Sequence, residues 1–449
     1  MNRLRKRAEE LYKISVPVLL EYTFITLMGI ISTVMVASVG QHAISAVGMV
    51  DSISNLIIAL FSALTTGGTI VVAQYYGRGD RQAAAKSGAQ AIILSALISA
   101  VILAFLAVFR VQIIDVLYGM ADEDVIEASN DFMKIINFSY VPLAVLQTVF
   151  GIMRGTGDTS SPMKISVLMN VLNVLIGRAL IMGFLFIPPL GVSGAAWGLL
   201  LSRSAGAVIA FWYMLKKSDT VRLNKPAFFK PDFDIQKIIL RFGVPTSIES
   251  SLFQVGRMFT QVFIVAMGTA AIMANSVVTA VVMFIYVPGN SFFTSVMILV
   301  GQRIGRGEDE DVEKTILFSV LAGSVMLGAL CLICYPLTGV IITLYKADAE
   351  AGEIIRQVFY TFLIATPLFW SMSFISASGL RAAGDVKFTM VISVSTMFIV
   401  RICVGYILGV WLEMGVVGIW LGMYSDWVVR SVIYFLRIKS GKWKNKGIV

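Results

Sequence analysis

Gln74-Tyr75-Tyr76-Gly77-Arg78-Gly79 in the first half of the chain returns as Gln302-Arg303-Ile304-Gly305-Arg306-Gly307 in the second, a shift of 228 residues. Pro17 and Glu21 are answered at the same shift by Pro245 and Glu249, and Arg154-x-x-Gly157-Asp158 is answered by Arg381-x-x-Gly384-Asp385 at a shift of 227. Gly191-Val192-x-Gly194-x-x-x-Gly198 recurs as Gly415-Val416-x-Gly418-x-x-x-Gly422, shifted by 224. Dispersed matches in one fixed order mark a duplicated domain, and duplicated halves are a common architecture among membrane transporters.

Composition places the duplication in a membrane. Hydrophobic residues make up 57% of the 449 and charged residues only 14%, with a mean hydropathy of +0.83, far from a soluble average. Crossing the hydrocarbon layer takes about 20 apolar residues. Six such stretches fall near 15–38, 53–76, 88–109, 132–153, 163–187 and 192–215, and six more near 238–267, 276–301, 315–339, 355–379, 388–410 and 415–436. The fold expected is an all-α polytopic membrane protein with 12 transmembrane helices in two pseudo-symmetric six-helix bundles. Because six is even, both halves enter the membrane with one orientation, which predicts a pseudo-two-fold axis along the membrane normal and a cleft between the bundles. The expected domains are an N-terminal lobe (1–215), a cytoplasmic linker (216–237) containing Pro226 and Pro231, and a C-terminal lobe with a basic tail (238–449).

Charge sets the orientation. The N-terminus, the even-numbered connections and the C-terminus hold 27 of the 36 Lys and Arg, an asymmetry that marks the cytoplasmic side. Both termini are therefore expected in the cytoplasm of a bacterium, with the chain spanning its plasma membrane many times. Net charge of +9 suits basic flanks facing anionic lipid; with the cations scattered over membrane loops, no nucleic-acid partner is expected. The N-terminal basic residues precede an apolar run without a small-residue cleavage site, so they read as the start of span 1. Cys331-x-x-Cys334 lies in a span without histidine or acid nearby and reads as packing. His42 is the only histidine, so neither a metal cluster nor a histidine base is expected, and the chain is not expected to be an enzyme. Gly77-x-Gly79 lacks the third glycine and preceding strand of a dinucleotide fingerprint, and no phosphate-binding Gly-x-x-x-x-Gly-Lys occurs. No cofactor is expected.

Gly68-x-x-x-x-x-Gln74-Tyr-Tyr-Gly-Arg-Gly-Asp80, Arg154-Gly-Thr-Gly-Asp-Thr-x-x-Pro162 and Gly191-Val-Ser-Gly-Ala-Ala-Trp197 together resemble the multidrug and toxic compound extrusion (MATE) transporters. Leu380-Arg-Ala-Ala-Gly-Asp385, Gly415-Val-Val-Gly-Ile-Trp420, Asp426-Trp427, Arg430 and the tail Gly441-Lys-Trp-Lys444 look like the bacterial branch of that family. The resemblance spans nearly the whole chain. It implies twelve helices in two lobes and exchange of a cytoplasmic drug for external H+ or Na+ as coupling ion. A lipid-linked saccharide flippase of the same superfamily is the alternative; it would share the two lobes but calls for a more cationic cleft. Small-molecule drugs or organic cations are the expected partners of a monomer surrounded by lipid.

Ionisable groups at membrane depth cost about 2.5 to 3.5 kcal/mol each on insertion scales and are rare without a use or a partner. In the spans they are Glu21, Arg178, Arg203, Glu249, Arg257, Arg401, Asp426 and Arg430. Glu21 and Glu249 each lie one turn after a proline in the first span of their half. They are either coupling carboxylates facing the cleft or acids held near the interface by a helix N-terminus or a neighbouring arginine. Gln254, Arg257 and Gln261 continue a polar stripe from Glu249, which suggests a route from carboxylate to substrate. Asn170 and Asn173 offer neutral ligands in the other lobe. Arg401 fits the bacterial pattern, and Asp426 with Arg430, four residues apart, reads as a structural pair. Where many MATE members have an aspartate before a threonine in span 1, this chain has Ser32 before Thr33, and Phe253 stands where some branches carry a glutamate in span 7. The resemblance therefore leaves the coupling ion open. Spare carboxylates in the cleft would favour lipophilic cations as cargo. Pro288-Gly289-Asn290 interrupts span 8 without a counterpart in the first half, and Pro288 is the expected hinge.

Overall fold

A computed structural model describes residues 2–119, 121–183 and 188–448. Among the described residues, apolar runs form twelve long helices: α1 (Asn2–Ala37), α2 (Gln41–Gly77), α3 (Arg81–Tyr118), α4 (Glu123–Gly155), α5 (Ser160–Met182) and α6 (Gly191–Lys216), then α7 (Phe233–Ala266), α8 (Thr269–Arg306), α9 (Asp309–Leu344), α10 (Ala349–Ala382), α11 (Val386–Trp411) and α12 (Gly415–Lys439). Among the described residues there is no strand. Eleven of the helices are long and apolar enough to cross a membrane. α7, with Asp234, Lys237, Arg241, Glu249 and Arg257 among its 34 residues, falls outside that set. Several helices run well past the hydrocarbon thickness; α2, α3 and α8 have 37, 38 and 38 residues, about 55 Å at 1.5 Å per residue.

The repeated turns need their glycines. Gly79 and Gly307, equivalent in the two halves, have φ of 87° and 73°, and Gly157 and Gly384 have 89° and 100°, values a side chain adopts only under strain. Gly307 thereby closes α8, its N–H meeting the carbonyls of Arg303 and Ile304.

Two compact units result, and they do not follow chain order. The N-terminal unit runs from Leu20 to Ser247; the C-terminal unit comprises residues up to Leu19 together with those from Ile248 onward. Both boundaries fall inside a helix, two residues after Pro17 in α1 and two after Pro245 in α7, where each proline deletes a helical hydrogen bond. The boundaries expected from the sequence, 1–215, 216–237 and 238–449, are consecutive, whereas these units each take the opening segment of the other half's first helix. In the C-terminal unit that segment is held by Arg7 to Asp311 at 2.7 Å, Arg303 to Glu10 at 2.6 Å, and Ser291 Oγ donating to the Ser15 carbonyl at 2.6 Å. In the N-terminal unit, a Cβ on Gly67 would stand 2.6 Å from the Ile239 carbonyl oxygen of α7.

The connection after α6 is not a loose tether. Val221, Leu223 and Phe228 are buried in the N-terminal unit's core with Val72, Ile152 and Met214. Buried Gln90 donates to the carbonyls of Phe228 and Lys230, 2.8 Å each, and accepts the Asp232 N–H at 2.9 Å.

Candidate functional site

Local structure in the C-terminal unit departs from α geometry at three places, Thr366–Trp370 in α10 and Thr396–Ile402 and Ile407–Trp411 in α11, each a π-helical segment. Such segments insert one residue per turn, re-aim side chains and recur at functional sites. Here they deliver Trp370 and Arg401 to a cavity of about 610 Å³ lined by residues of α7, α8, α10, α11 and α12.

Aromatic rings build its wall. Trp370 is stacked between Tyr286, 5.2 Å between centroids, and Phe374, 4.9 Å, while Trp427 meets Tyr286 and Phe374 edge-on at 6.5 and 6.2 Å. The close approach of α8 to α10 depends on Gly289, whose Cβ would stand 2.4 Å from Trp370. Polar groups come from α7 at helical spacing, Arg257 and Gln261. Trp420 Nε1 donates to Asn275 Oδ1 at 3.0 Å, and Asn275 Nδ2 donates to Gln261 Oε1 at 3.2 Å. Arg257 donates to Gln254 Oε1 at 3.5 Å. The Arg401 guanidinium lies 5.4 Å over the Phe253 ring, a cation–π contact. Beneath it, Arg430 donates to Asp426 at 2.7 Å and covers Phe374 at 4.7 Å; both members of that ion pair are buried.

The two symmetric acids lie elsewhere. Glu21, 2% exposed, accepts from Arg154 Nη2 at 2.6 Å, and Glu249, 8% exposed, accepts from Arg381 Nη2 at 2.6 Å. Each arginine sits in the last turn of its helix, where the carbonyl end of the dipole also favours a cation. Each acid keeps a second oxygen, Oε2, that is buried and meets no protein donor.

Of the residues singled out from sequence, Arg257 and Arg401 share the cavity and Gln254 touches it through Arg257. Glu249 is one turn below Phe253 on α7 but outside the lining, joined to Arg381 rather than to Arg257 or Gln254. Asn173 belongs to the N-terminal unit, where it donates to Ser32 Oγ at 3.3 Å. Pro288 is buried inside α8, which continues unbroken through it. Sequence reasoning missed Arg154 and Arg381 as the acids' partners. The signal was present: both arginines recur at nearly the shift that relates the acids.

Twelve helices from a twofold repeat, with a side-chain-lined cavity inside one half, define a polytopic membrane protein of the transporter type. The MatE family model matches residues 17–178 and 245–407, one copy per half, and the chain belongs to this family, the MATE transporters. Over 443 residues it is 26% identical to a protein of Thermotoga maritima named probable multidrug resistance protein NorM, covering 98% of this chain and 94% of the relative. It is also 26% identical over 457 residues to the uncharacterized transporter YisQ of Bacillus subtilis, covering 99% and 98%. A solved structure described as the outward-facing conformation of a multidrug resistance MATE family transporter of the MOP superfamily shares the fold, with a TM-score of 0.88 at 20% identity over 97% of both chains. Members of the family are transporters, not enzymes.

Proposed function

We propose that this chain is a secondary active multidrug exporter, an antiporter that expels amphipathic compounds in exchange for inward-moving H+ or Na+. The observation that carries the reading is the C-terminal unit's cavity, of drug-sized volume, walled by stacked aromatic rings and containing a few directed polar groups. Aromatic and methionine surfaces accept varied ligands, in keeping with relatives named for multidrug resistance. Inward movement of one cation down about 150 mV releases roughly 3.5 kcal/mol, enough for about a three-hundredfold gradient of cargo.

Glu21 and Glu249 are our coupling candidates. An incoming ion competes with Arg154 or Arg381 for the carboxylate, loosening a pair that ties two helices of one unit together. Pro288, adjacent to the Gly289–Trp370 contact, is where we place the bending of α8. The termini lie in the cytoplasm, following the basic connections. The test is transport of a fluorescent amphipath in proteoliposomes under an imposed pH gradient and then an imposed sodium gradient. Movement driven by one gradient and lost in Glu249→Gln supports the reading; no movement under either overturns it.

A further inference from the structure

We propose that the cavity of the C-terminal unit selects organic anions with a planar aromatic body, such as aromatic carboxylates or sulfonates. The inference deepens the exporter reading and rests on it for the direction of movement, not for binding.

Charge is the first ground. Arg257 and Arg401 are the ionisable cations of the lining, and no Asp or Glu lines the cavity. Among the described residues neither arginine belongs to an ion pair. Arg401 Nε is buried without a hydrogen-bond acceptor, and the ring beneath its guanidinium is Phe253, which bears no charge. The nearest acid in sequence on α12, Asp426, is committed to Arg430 at 2.7 Å. Glu249, the acid of α7, is committed to Arg381. A lipophilic cation in this cavity would meet two further positive charges and no carboxylate. An anion would give two unpaired guanidinium groups the planar, two-pronged partner for which their fork is shaped.

Shape is the second ground. Tyr286, Trp370 and Phe374 are stacked face to face at 5.2 and 4.9 Å, with interplanar angles of 21° and 25°. Trp370 and Phe374 belong to α10, Tyr286 to α8, and Arg401 to α11, so ring surface and charge come from different walls of one space. Planar rings pack on such surfaces in offset geometry. The expectation of a cationic cargo depended on spare carboxylates, and the two symmetric carboxylates lie outside this lining.

Fluorescein, an anion, and rhodamine 123, a cation, share one xanthene frame and so isolate charge. Binding of each to the purified full chain in detergent is read by fluorescence anisotropy. Fluorescein is expected to bind at least about tenfold more tightly, and Arg257→Gln and Arg401→Gln each to weaken it about tenfold or more, the effect of losing one charge-assisted hydrogen bond, without weakening rhodamine 123. Arg401→Lys keeps the charge but loses the fork and is expected to recover part of the affinity lost in Arg401→Gln, which separates lost charge from lost folding. Equal or tighter binding of rhodamine 123, or fluorescein affinity unchanged in the Arg257→Gln/Arg401→Gln double variant, overturns the proposal. Arginine-dependent fluorescein binding without gradient-driven movement of either dye supports the site while overturning the exporter reading. Gradient-driven movement of rhodamine 123 with no fluorescein binding does the reverse.

Discussion

Glu249 and Arg381 are 132 residues apart in sequence and 2.6 Å apart in space, and the pair is reproduced in the other unit by Glu21 and Arg154, 133 residues and 2.6 Å apart. The duplication has therefore kept an interaction, not merely two residues. In each unit the acid lies just beyond a proline in the opening helix and the arginine ends the fourth helix of that half, so the bridge joins the break in one helix to the terminus of another.

Breaking such a pair from one side leaves a charge buried alone. Glu249→Leu is expected to destabilise the protein by about 3 to 5 kcal/mol, and Glu249→Leu combined with Arg381→Met to recover most of the loss, because removing both charges removes the desolvation cost as well. Unfolding in detergent, followed for both single variants and the double, checks this. Single variants as stable as the parent would contradict it.

A methyl group tests the cavity wall. At Gly289 an added Cβ would stand 2.4 Å from a ring carbon of Trp370, held between Tyr286 and Phe374, whereas at Gly256 it would meet the terminal methyl of Met397 at 2.3 Å. A rigid stacked ring cannot withdraw, and a methionine can rotate. Gly289→Ala is expected to cost about 1 to 3 kcal/mol and to weaken binding of aromatic dyes, with Gly256→Ala costing less. The same unfolding and anisotropy measurements rank the two.

Asp232 governs the connection between the halves. Lys86 Nζ meets it at 2.5 Å and the Ile235 and Asp234 N–H groups donate to it, which together hold its carboxyl below the ordinary 3.8. A depressed carboxyl contributes stability above its unfolded value and loses it as pH falls through the folded one. Hydrogen exchange across residues 216–232 is thus expected to be faster in Asp232→Asn than in the parent at neutral pH, with the difference vanishing as the acid limb is crossed. A difference that grows on acidification would contradict the assignment.

Periodicity and repetition carried much of this architecture. Most of the twelve spans were legible as apolar runs set apart by turns, many of them carrying glycine, and the family because its motifs recur in order. The Glu–Arg bridges were half legible: Pro17, Glu21 and Arg154 have counterparts at a shared shift, yet only tertiary packing shows that acid and arginine meet. Other features left no mark in periodicity. The unit boundaries after Leu19 and Ser247 fall inside continuous helices, where hydropathy does not change. Trp370 and Arg401 reach the cavity through π-helical segments, which alter the phase of a helix without altering its composition. Arg257 was identified from its polar stripe but assigned to Glu249, since spacing along one helix cannot reveal that an arginine from α10 already occupies that acid.

Gradient-driven export through the C-terminal unit's cavity is tested most directly by filling that cavity. Thr279 lines it from α8. In proteoliposomes, dye movement under an imposed pH or sodium gradient is predicted for the parent chain and is predicted to fall at least about tenfold in Thr279→Trp at equal protein content, a change of about 1.4 kcal/mol or more. Parent-like movement through Thr279→Trp, or no movement through the parent under either gradient, would contradict the account.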